Sequence, residues 1–286
     1  MTLYELKNFQ IDQAIQLALK EDINYEDVTS NAIYTEDKLA EISLLAKGEG
    51  ILAGLAVFKR VFQLLDDQVT FKDYKQEGDW VKDSDLVLEA QARVSTLLSG
   101  ERVALNYLQR MSGIATNVAR YVAELDDDSI SVVDTRKTTP NMRVFEKYAV
   151  KVGGGFNHRY NLSDGILIKD NHIDAAGSIK EAVARVRDYT RYVKKIEVEV
   201  ESLKGVQEAL EAQADIIMLD NMAIDSIREA VKLIDKQAII ECSGNIDFSN
   251  IKDYQNLGID YLSSGAMVYN APVLDLSMKN LTYLKD

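Results

Sequence analysis

The second half of the chain alternates short apolar runs with amphipathic stretches, and this pattern predicts repeated strand–helix units. Several of the apolar runs lack polar alternation, which is typical of parallel strands covered on both faces. Apolar residues recur at helical spacing over 179–186, 203–212 and 224–234. We therefore expect an α/β barrel or a doubly wound parallel sheet. Its predicted strands cover residues 130–133, 165–168, 196–200, 216–219, 238–240 and 259–262.

The first hundred residues show a different pattern, with strand-like runs at 42–46, 68–71 and 86–90 separated by glycines. Phe58, Val61, Phe62 and Leu65 fit one face of a helix. This region therefore predicts a small α/β layer domain. A long helix follows it, and alternating steps of four and three residues predict its buried stripe. The stripe consists of Ala104, Leu108, Met111, Ala115, Val118 and Val122.

Polar residues follow every predicted strand of the second half. One or two polar strand ends would be ordinary, but six in succession favour a functional site, because active sites of parallel α/β folds form at the carboxyl ends of the strands. Arg102, which lies off the buried stripe of the long helix, is either solvated or presented to a partner. The polar positions are 134–137, 169–172, Glu197, Glu199, Glu201, 220–221, 243–245 and 264–265.

Composition narrows the range of functions. The 286 residues include 33 Lys and Arg against 46 Asp and Glu, a net charge of −13. So acidic a chain repels nucleic acid and anionic membranes. One cysteine and two histidines argue against a disulfide framework and a histidine-rich zinc centre. The N-terminus lacks the pattern of a signal peptide, and no apolar stretch is long enough to span a bilayer, so we expect a cytoplasmic protein.

The positive charge is concentrated in one segment. Residues 134–172 carry a net charge of +3, which leaves −16 for the remainder, and they contain both histidines, His158 and His172. A solvated basic face is the simplest interpretation. The cations are interleaved with threonine and asparagine instead of forming a run, however. That arrangement favours a pocket for a small, multiply charged anion, which needs converging donors.

The strand ends combine three kinds of chemistry. One group consists of cations, which bind carboxylates or phosphates. Glu199 and Asp220 supply hard oxygen ligands suited to Mg²⁺. The turns at 243–245 and 264–265 offer backbone N–H groups to a phosphate. Each signal is weak alone. Together they predict a phosphorylated sugar, bound with Mg²⁺ beside an anionic acceptor. The cations are Arg136, Lys137, His158, Arg159 and Lys169.

Several motifs, in this order and spacing, resemble the quinolinate phosphoribosyltransferase family. The most specific are DTRKTTP at 134–140, GGGFNHR at 153–159 and IKDNH at 168–172. The resemblance runs from residue 21 nearly to the end of the chain. It implies an N-terminal α/β sandwich domain (1–110), a C-terminal open α/β barrel of parallel strands (111–275), and a tail (276–286) packing back on the first domain. It also implies a homodimer or an assembly of dimers.

The resemblance further implies an activity and roles for residues. The family joins quinolinate to 5-phosphoribosyl 1-pyrophosphate, giving nicotinate mononucleotide, pyrophosphate and CO2, in the de novo route to NAD. Arg136, His158, Arg159 and Lys169 then bind quinolinate, with Arg102 contributed across the dimer interface. Lys137, Lys169, Glu199 and Asp220 are the expected catalytic residues, and Glu199 and Asp220 the expected Mg²⁺ ligands. The expected contacts to the phosphoribosyl donor are Lys137, Glu199, Asp220, Ser243, Gly244, Asn245 and Gly265.

This chain departs from the family pattern at a few positions. The loop after the fifth strand usually reads E-A-S-G-G, whereas here it ends in Asn245, and Cys242 replaces a small alanine. Asparagine tolerates a left-handed backbone better than most residues, so we expect the phosphate turn to be retained. Asn161 stands where glycine is frequent. Val268 and Tyr269 stand in a loop that often reads G-A-L-T-H.

Three other functions compete with this interpretation. A paralogous protein of molybdenum-uptake operons shares the DTRKT and GGG-HR stretches but differs from IKDNH. A barrel lyase would use Lys137 or Lys169 as a Schiff base, which requires an apolar surrounding for that lysine. A regulator would bind the phosphoribosyl donor without releasing pyrophosphate.

Overall fold

A computed structural model describes residues 6–34, 36–192 and 194–284. The chain divides into two compact units. One unit contains residues up to 119, residues 139–154 and those from 270 onward, and the other contains residues 120–138 and 155–269. The predicted domain boundaries at 110 and 275 remain a prediction, and residues 1–5, 285 and 286 of the predicted first domain and tail lie outside the described residues.

The first unit is built on an antiparallel sheet with the strand order β12-β1-β5-β3, beside which β2 and β4 form a separate pair. Helices accompany these strands, which confirms the predicted α/β layer domain. The strands are β1 (Leu39–Ala46), β2 (Gly50–Ile51), β3 (Thr70–Asp73), β4 (Trp80–Val81), β5 (Leu86–Arg93) and β12 (Leu276–Tyr283). The helices are α1 (Asn8–Ile23), α2 (Val28–Ile33), α3 (Leu55–Leu65) and α5 (Arg143–Val152).

The long predicted helix is α4 (Val94–Leu125), which leads from the first unit into the second. Five positions of its predicted stripe, from Ala104 to Val118, are fully buried, but Val122 is 37% exposed, so its assignment to the stripe was wrong. Val122 lies five full turns of 3.6 residues after Ala104 and therefore at the same angle around the helix, so its exposure means that the buried face of α4 shifts near the helix end. Tyr121 and Leu125 are buried near the helix end instead.

The second unit contains, within the described ranges, a sheet of six parallel strands in the order β6-β11-β10-β9-β8-β7. Strands β7 to β11 lie side by side in chain order, as in a barrel and unlike a doubly wound sheet. β6 and β7 occupy the two edges, so the barrel is open. Its strands are β6 (Ser131–Val133), β7 (Ile166–Ile168), β8 (Ile196–Val200), β9 (Ile216–Asp220), β10 (Ile239–Ser243) and β11 (Tyr261–Ser263).

The helices of this unit follow the strands in alternation, as the sequence pattern predicts. Ser178 and Ser202 cap the N-termini of two of them by accepting hydrogen bonds from backbone N–H groups of the first turn. The helices are α6 (Asp170–Ala176), α7 (Ile179–Thr190), α8 (Leu203–Glu211), α9 (Ile224–Ile234) and α10 (Ala266–Tyr269), with a short 3-10 turn at Ile251–Tyr254.

The strand register sorts side chains onto two faces. Cα partners align Glu199 with Met218 and Met218 with Glu241, and the next same-face pair is Asp220 with Ser243. Successive side chains of a strand point to opposite faces, so these polar residues share one face of the sheet. The intervening Val198, Ile217, Leu219, Ile240 and Leu262 are buried and apolar. One face of the sheet is therefore apolar, and the other face carries the polar residues.

Among the described helices, none combines the length and the apolar composition that a membrane span requires.

Candidate active site

The carboxyl ends of the barrel strands surround a cavity of about 430 Å³ in the second unit. Ten of the predicted site residues line it: eight come from the ends of β6 to β10 and the loops that follow them, and His158 and Arg159 come from the segment between α5 and β7. They are Arg136, Lys137, His158, Arg159, Lys169, Glu199, Asp220, Ser243, Gly244 and Asn245. The structure thus brings the predicted cations and the predicted acids together around one space.

Buried Asp134 fixes the segment that carries His158 and Arg159. One oxygen of its carboxylate accepts a hydrogen bond from the backbone N–H of His158 (2.9 Å) and the other accepts one from Asn157 Nδ2 (2.7 Å). The backbone of Phe156 pairs with Val133 beside β6, so the segment extends the sheet at its open edge. The first residue of the DTRK motif therefore orients the histidine and arginine of GGGFNHR.

His158 lies between two buried carboxylates that face the interior of the barrel. Its Nε2 is 3.2 Å from Oε2 of Glu197 and 3.5 Å from Oε2 of Glu241. Its Nδ1 lies 2.8 Å from the backbone nitrogen of Arg159, which donates to it. Glu197 and Glu241 are only 4% and 3% exposed. Both ring nitrogens thus contact protein groups, and a contact with quinolinate through either nitrogen requires the ring to reorient.

In this cluster of His158, Glu197 and Glu241, the neighbouring carboxylates raise the pKa of the histidine. Burial lowers the pKa of His158, but its hydrogen bonds to Glu197 and Glu241 outweigh that effect and raise the pKa to about 10. Burial also raises the pKa of Glu197. Because Nδ1 accepts a hydrogen bond, the neutral imidazole carries its proton on Nε2, and we assign the additional proton to the cluster as a whole.

Two arginines approach one another in the cavity. Burial, followed by the positive charge of Arg136, lowers the pKa of Arg159, while the negative charges of Glu197 and Glu199 act in the opposite direction. The guanidinium of Arg159 also donates to the carbonyl oxygen of Gly165, just before β7 (3.0 Å). Two guanidinium groups held this close favour a ligand with more than one negative charge.

Lys169 forms an ion pair with Glu199, in which Nζ donates to Oε2. The lysine side chain is 43% exposed. A Schiff-base lysine needs a surrounding that favours the neutral amine, whereas this ammonium group faces a carboxylate and solvent. The structure therefore disfavours a lyase that uses Lys169.

The turns after β9 and β10 form the opposite wall of the cavity. Gly244 and Asn245 both have left-handed backbones, with φ of 95° and 51°. The predicted turn is thus retained, although asparagine replaces the glycine of the family pattern. A Cβ atom on Gly265 would lie 2.9 Å from Cδ of Lys137. A side chain at this position would therefore displace Lys137.

Two predicted residues do not line this cavity. Gly265 contacts Lys137 but is outside the lining, and Arg102 is an exposed residue of α4 in the first unit. Cys242, which stands where the family pattern has a small alanine, is buried, and burial raises the pKa of its thiol to about 12.

Sequence reasoning noted Thr135, Asn221 and Glu197 as polar strand-end positions without assigning them a role, and it missed Glu241. Glu197 lies two residues from Glu199, and side chains two residues apart on a strand share a face. This period could therefore have predicted that Glu197 faces the site. The structure places both glutamates on the polar face of the sheet. Nothing in the local sequence signals that Glu241 reaches His158.

Models of one family match nearly the whole chain. The N-terminal domain of quinolinate phosphoribosyl transferase matches residues 27–112, and its C-terminal domain matches residues 114–279. Among curated relatives, a probable carboxylating nicotinate-nucleotide pyrophosphorylase of Bacillus subtilis is 42% identical, over 96% of this chain and 94% of its own length. A protein of the same name from Synechocystis is 44% identical, over 94% of this chain and 92% of its own length.

Solved structures agree with this assignment. The crystal structure of NadC from Streptococcus pyogenes is 54% identical, covers 99% of this chain and 100% of its own, and has a TM-score of 0.96. The nicotinate-nucleotide pyrophosphorylase from Francisella tularensis is 33% identical, covers 99% of each chain and has a TM-score of 0.92. The chain described here belongs to the quinolinate phosphoribosyltransferase family.

Proposed function

We propose that this chain transfers the phosphoribosyl group of 5-phosphoribosyl 1-pyrophosphate to quinolinate and decarboxylates the adduct. The products are nicotinate mononucleotide, pyrophosphate and CO2, in the de novo synthesis of NAD. One observation carries the proposal: the predicted cations and the carboxylates Glu199 and Asp220 meet around a single cavity at the carboxyl ends of the barrel strands. A regulator that only binds phosphate needs the cations alone. A transferase that joins a dianion to a sugar pyrophosphate needs both the cations and the carboxylates.

Quinolinate binds on the cationic side of the cavity. Arg136, Arg159 and Lys169 supply fixed positive charge for its two carboxylates, and His158 belongs to the same side. The anchoring of Arg159 to Gly165 supports this role, because that side chain is held before the substrate arrives.

The phosphoribosyl donor binds on the side of Lys137, Glu199 and Asp220. The turns of Ser243, Gly244, Asn245 and Gly265 take its 5′-phosphate, since backbone N–H groups in turns at strand ends bind phosphate. The extended Lys137 side chain, which passes against Gly265, places an ammonium group near the phosphates.

The residues on this side fit Mg²⁺. Glu199 and Asp220 offer carboxylate oxygens at neighbouring strand ends, and Mg²⁺ is commonly bound by one or two carboxylates together with substrate phosphates. Bound Mg²⁺ supplies neutralising charge for the pyrophosphate. The ion pair between Lys169 and Glu199 links the carboxylate side to the cationic side.

In the reaction, the ring nitrogen of quinolinate forms a bond to C1 of the ribose while the bond from C1 to the pyrophosphate oxygen breaks. Positive charge develops on the sugar, and Glu199 and Asp220 stabilise it electrostatically. In the resulting pyridinium, the bond between the ring and the carboxylate next to the nitrogen breaks. The electron pair of that bond stays on the ring carbon, beside the positive nitrogen. CO2 leaves and the ring carbon takes up a proton, with Lys137 or Lys169 assisting.

The active protein is a homodimer or an assembly of dimers, in which Arg102 of each subunit completes the quinolinate site of its neighbour. The exposed position of Arg102, off the buried stripe of α4, supports this part of the proposal. A cytoplasmic location stays a prediction.

Pyrophosphate release tests the activity directly. It is expected to require both quinolinate and Mg²⁺, and nicotinate is expected not to replace quinolinate. Arg136→Ala and Lys169→Ala should each lower turnover by about 100-fold or more, because each removes charge-assisted hydrogen bonds to a carboxylate. Exposed Lys180 on α7 provides a control, and Lys180→Ala should retain full activity. Near-normal turnover in either cavity variant, with the fold intact by circular dichroism, would contradict the assignment.

Complementation tests the role of Arg102. Arg102→Ala and Arg136→Ala should each be inactive alone. In a two-fold dimer that shares residues, a mixed dimer contains one complete site, so reassembly of equal amounts should restore about a quarter of the wild-type activity. No recovery, although mixed dimers form, would exclude a contribution across the interface.

The stability of a His158→Phe variant tests the His158 cluster. Removing the imidazole leaves two buried carboxylates without their shared partner, and we expect a loss of about 3 kcal/mol in the free energy of unfolding. Adding Glu241→Gln to that variant should restore part of the loss. Urea unfolding followed by circular dichroism measures both. An unfolding midpoint unchanged by His158→Phe would show that the cluster does not stabilise the barrel.

A further inference from the structure

The turns that follow β9 and β10 are joined by a chain of side-chain hydrogen bonds. Asn245 Nδ2 donates to Oδ1 of Asn221 (2.9 Å), and Asn221 Nδ2 donates to Oδ2 of Asp220 (2.7 Å). The backbone N–H of Asn221 also donates to the carbonyl oxygen of Ser243 (3.0 Å). Asn245 is thus connected through Asn221 to the carboxylate of Asp220.

The backbone of both turns is adapted to this connection. Asn221 and Asn245 have left-handed backbones, with φ of 52° and 51°, a conformation that asparagine tolerates well. Between the turns, a Cβ atom on Gly244 would lie 2.4 Å from Oδ1 of Asn221. Glycine at 244 therefore leaves the space that the amide of Asn221 occupies. Asn250 Nδ2, which donates to the carbonyl oxygen of Asn245 (2.9 Å), fixes the turn from the other side.

The side chain of Asn245 provides a hydrogen-bond donor that glycine lacks. Glycine adopts the same left-handed backbone at no steric cost, so the turn itself does not require a side chain. What Asn245 contributes is a donor, and that donor is directed at Asn221.

We infer that Asn245 is a positioning residue that acts through Asn221 to orient the carboxylate of Asp220 towards the metal–pyrophosphate side of the cavity. The inference rests on the proposed function. Oδ2 of Asp220 is engaged by Asn221, and the part of the chain that the structure describes provides no partner for Oδ1. Because Oδ2 is held before the donor arrives, the carboxylate loses less rotational freedom when Oδ1 binds the Mg²⁺ that accompanies the pyrophosphate, which improves binding.

Binding without turnover tests this role. Calorimetry measures the affinity for 5-phosphoribosyl 1-pyrophosphate at limiting Mg²⁺, with no quinolinate present. In Asn245→Gly, which retains the left-handed backbone and removes only the amide, the dissociation constant should rise about 3- to 10-fold, the effect of one hydrogen bond. The affinity for quinolinate should not change. Asn256→Gly is the matched control, because it makes the same change at another exposed left-handed position (φ 56°) of the same unit.

A double-mutant cycle separates positioning from direct phosphate contact. If Asn245 acts through Asn221, Asn245→Gly should have no further effect in an Asn221→Gly background. Additive losses would overturn the inference, because they would mean that Asn245 contacts the donor itself. Unchanged affinity in Asn245→Gly would overturn the inference and leave the proposed function intact. Failure of the unsubstituted chain to bind the donor with Mg²⁺ would overturn the proposed function and the inference with it.

Discussion

The alignment of parallel strands is the constraint on which the site depends. Because neighbouring strands of the barrel are in register, residues at their carboxyl ends meet at one edge, and the two-residue period of each strand assigns them to one face. Glu199, Met218 and Glu241 form one row across that face, and Asp220 and Ser243 form the next. The apolar residues between them are buried on the opposite face and stabilise the sheet. The same pattern thus produces the core and the site.

The polar face holds opposite charges inside an acidic protein. Buried charges are costly unless they are paired, and the barrel pairs them locally: His158 with Glu197 and Glu241, and Lys169 with Glu199. The net charge of −13 therefore describes the chain as a whole and not the cavity. A small anion meets fixed cations at the strand ends, and the carboxylates on the neighbouring strands suit a metal ion and a developing positive charge.

Periodicity predicted most of the barrel and part of its site. The strands of the second unit begin within two residues of their predicted starts, and helix α9 has its predicted bounds. Local patterns could not predict pairings between segments that the curvature of the barrel brings together, such as Glu241 with His158. Val122 was misassigned because the buried face of α4 shifts to Tyr121 and Leu125 near the helix end, and a periodic pattern does not reveal where that shift begins. The link from Asn245 to Asp220 depends on backbone angles of two separate turns, which spacing does not reveal.

The central claim is that one cavity couples transfer of the phosphoribosyl group to decarboxylation. Quinolinate labelled with carbon-13 in the carboxylate next to the ring nitrogen tests it most directly, with pyrophosphate and labelled CO2 quantified in the same reaction. Equal amounts of the two products are predicted, because the positive ring nitrogen formed by the transfer is what allows that carboxylate to leave. Pyrophosphate released without an equal amount of labelled CO2 would contradict the account.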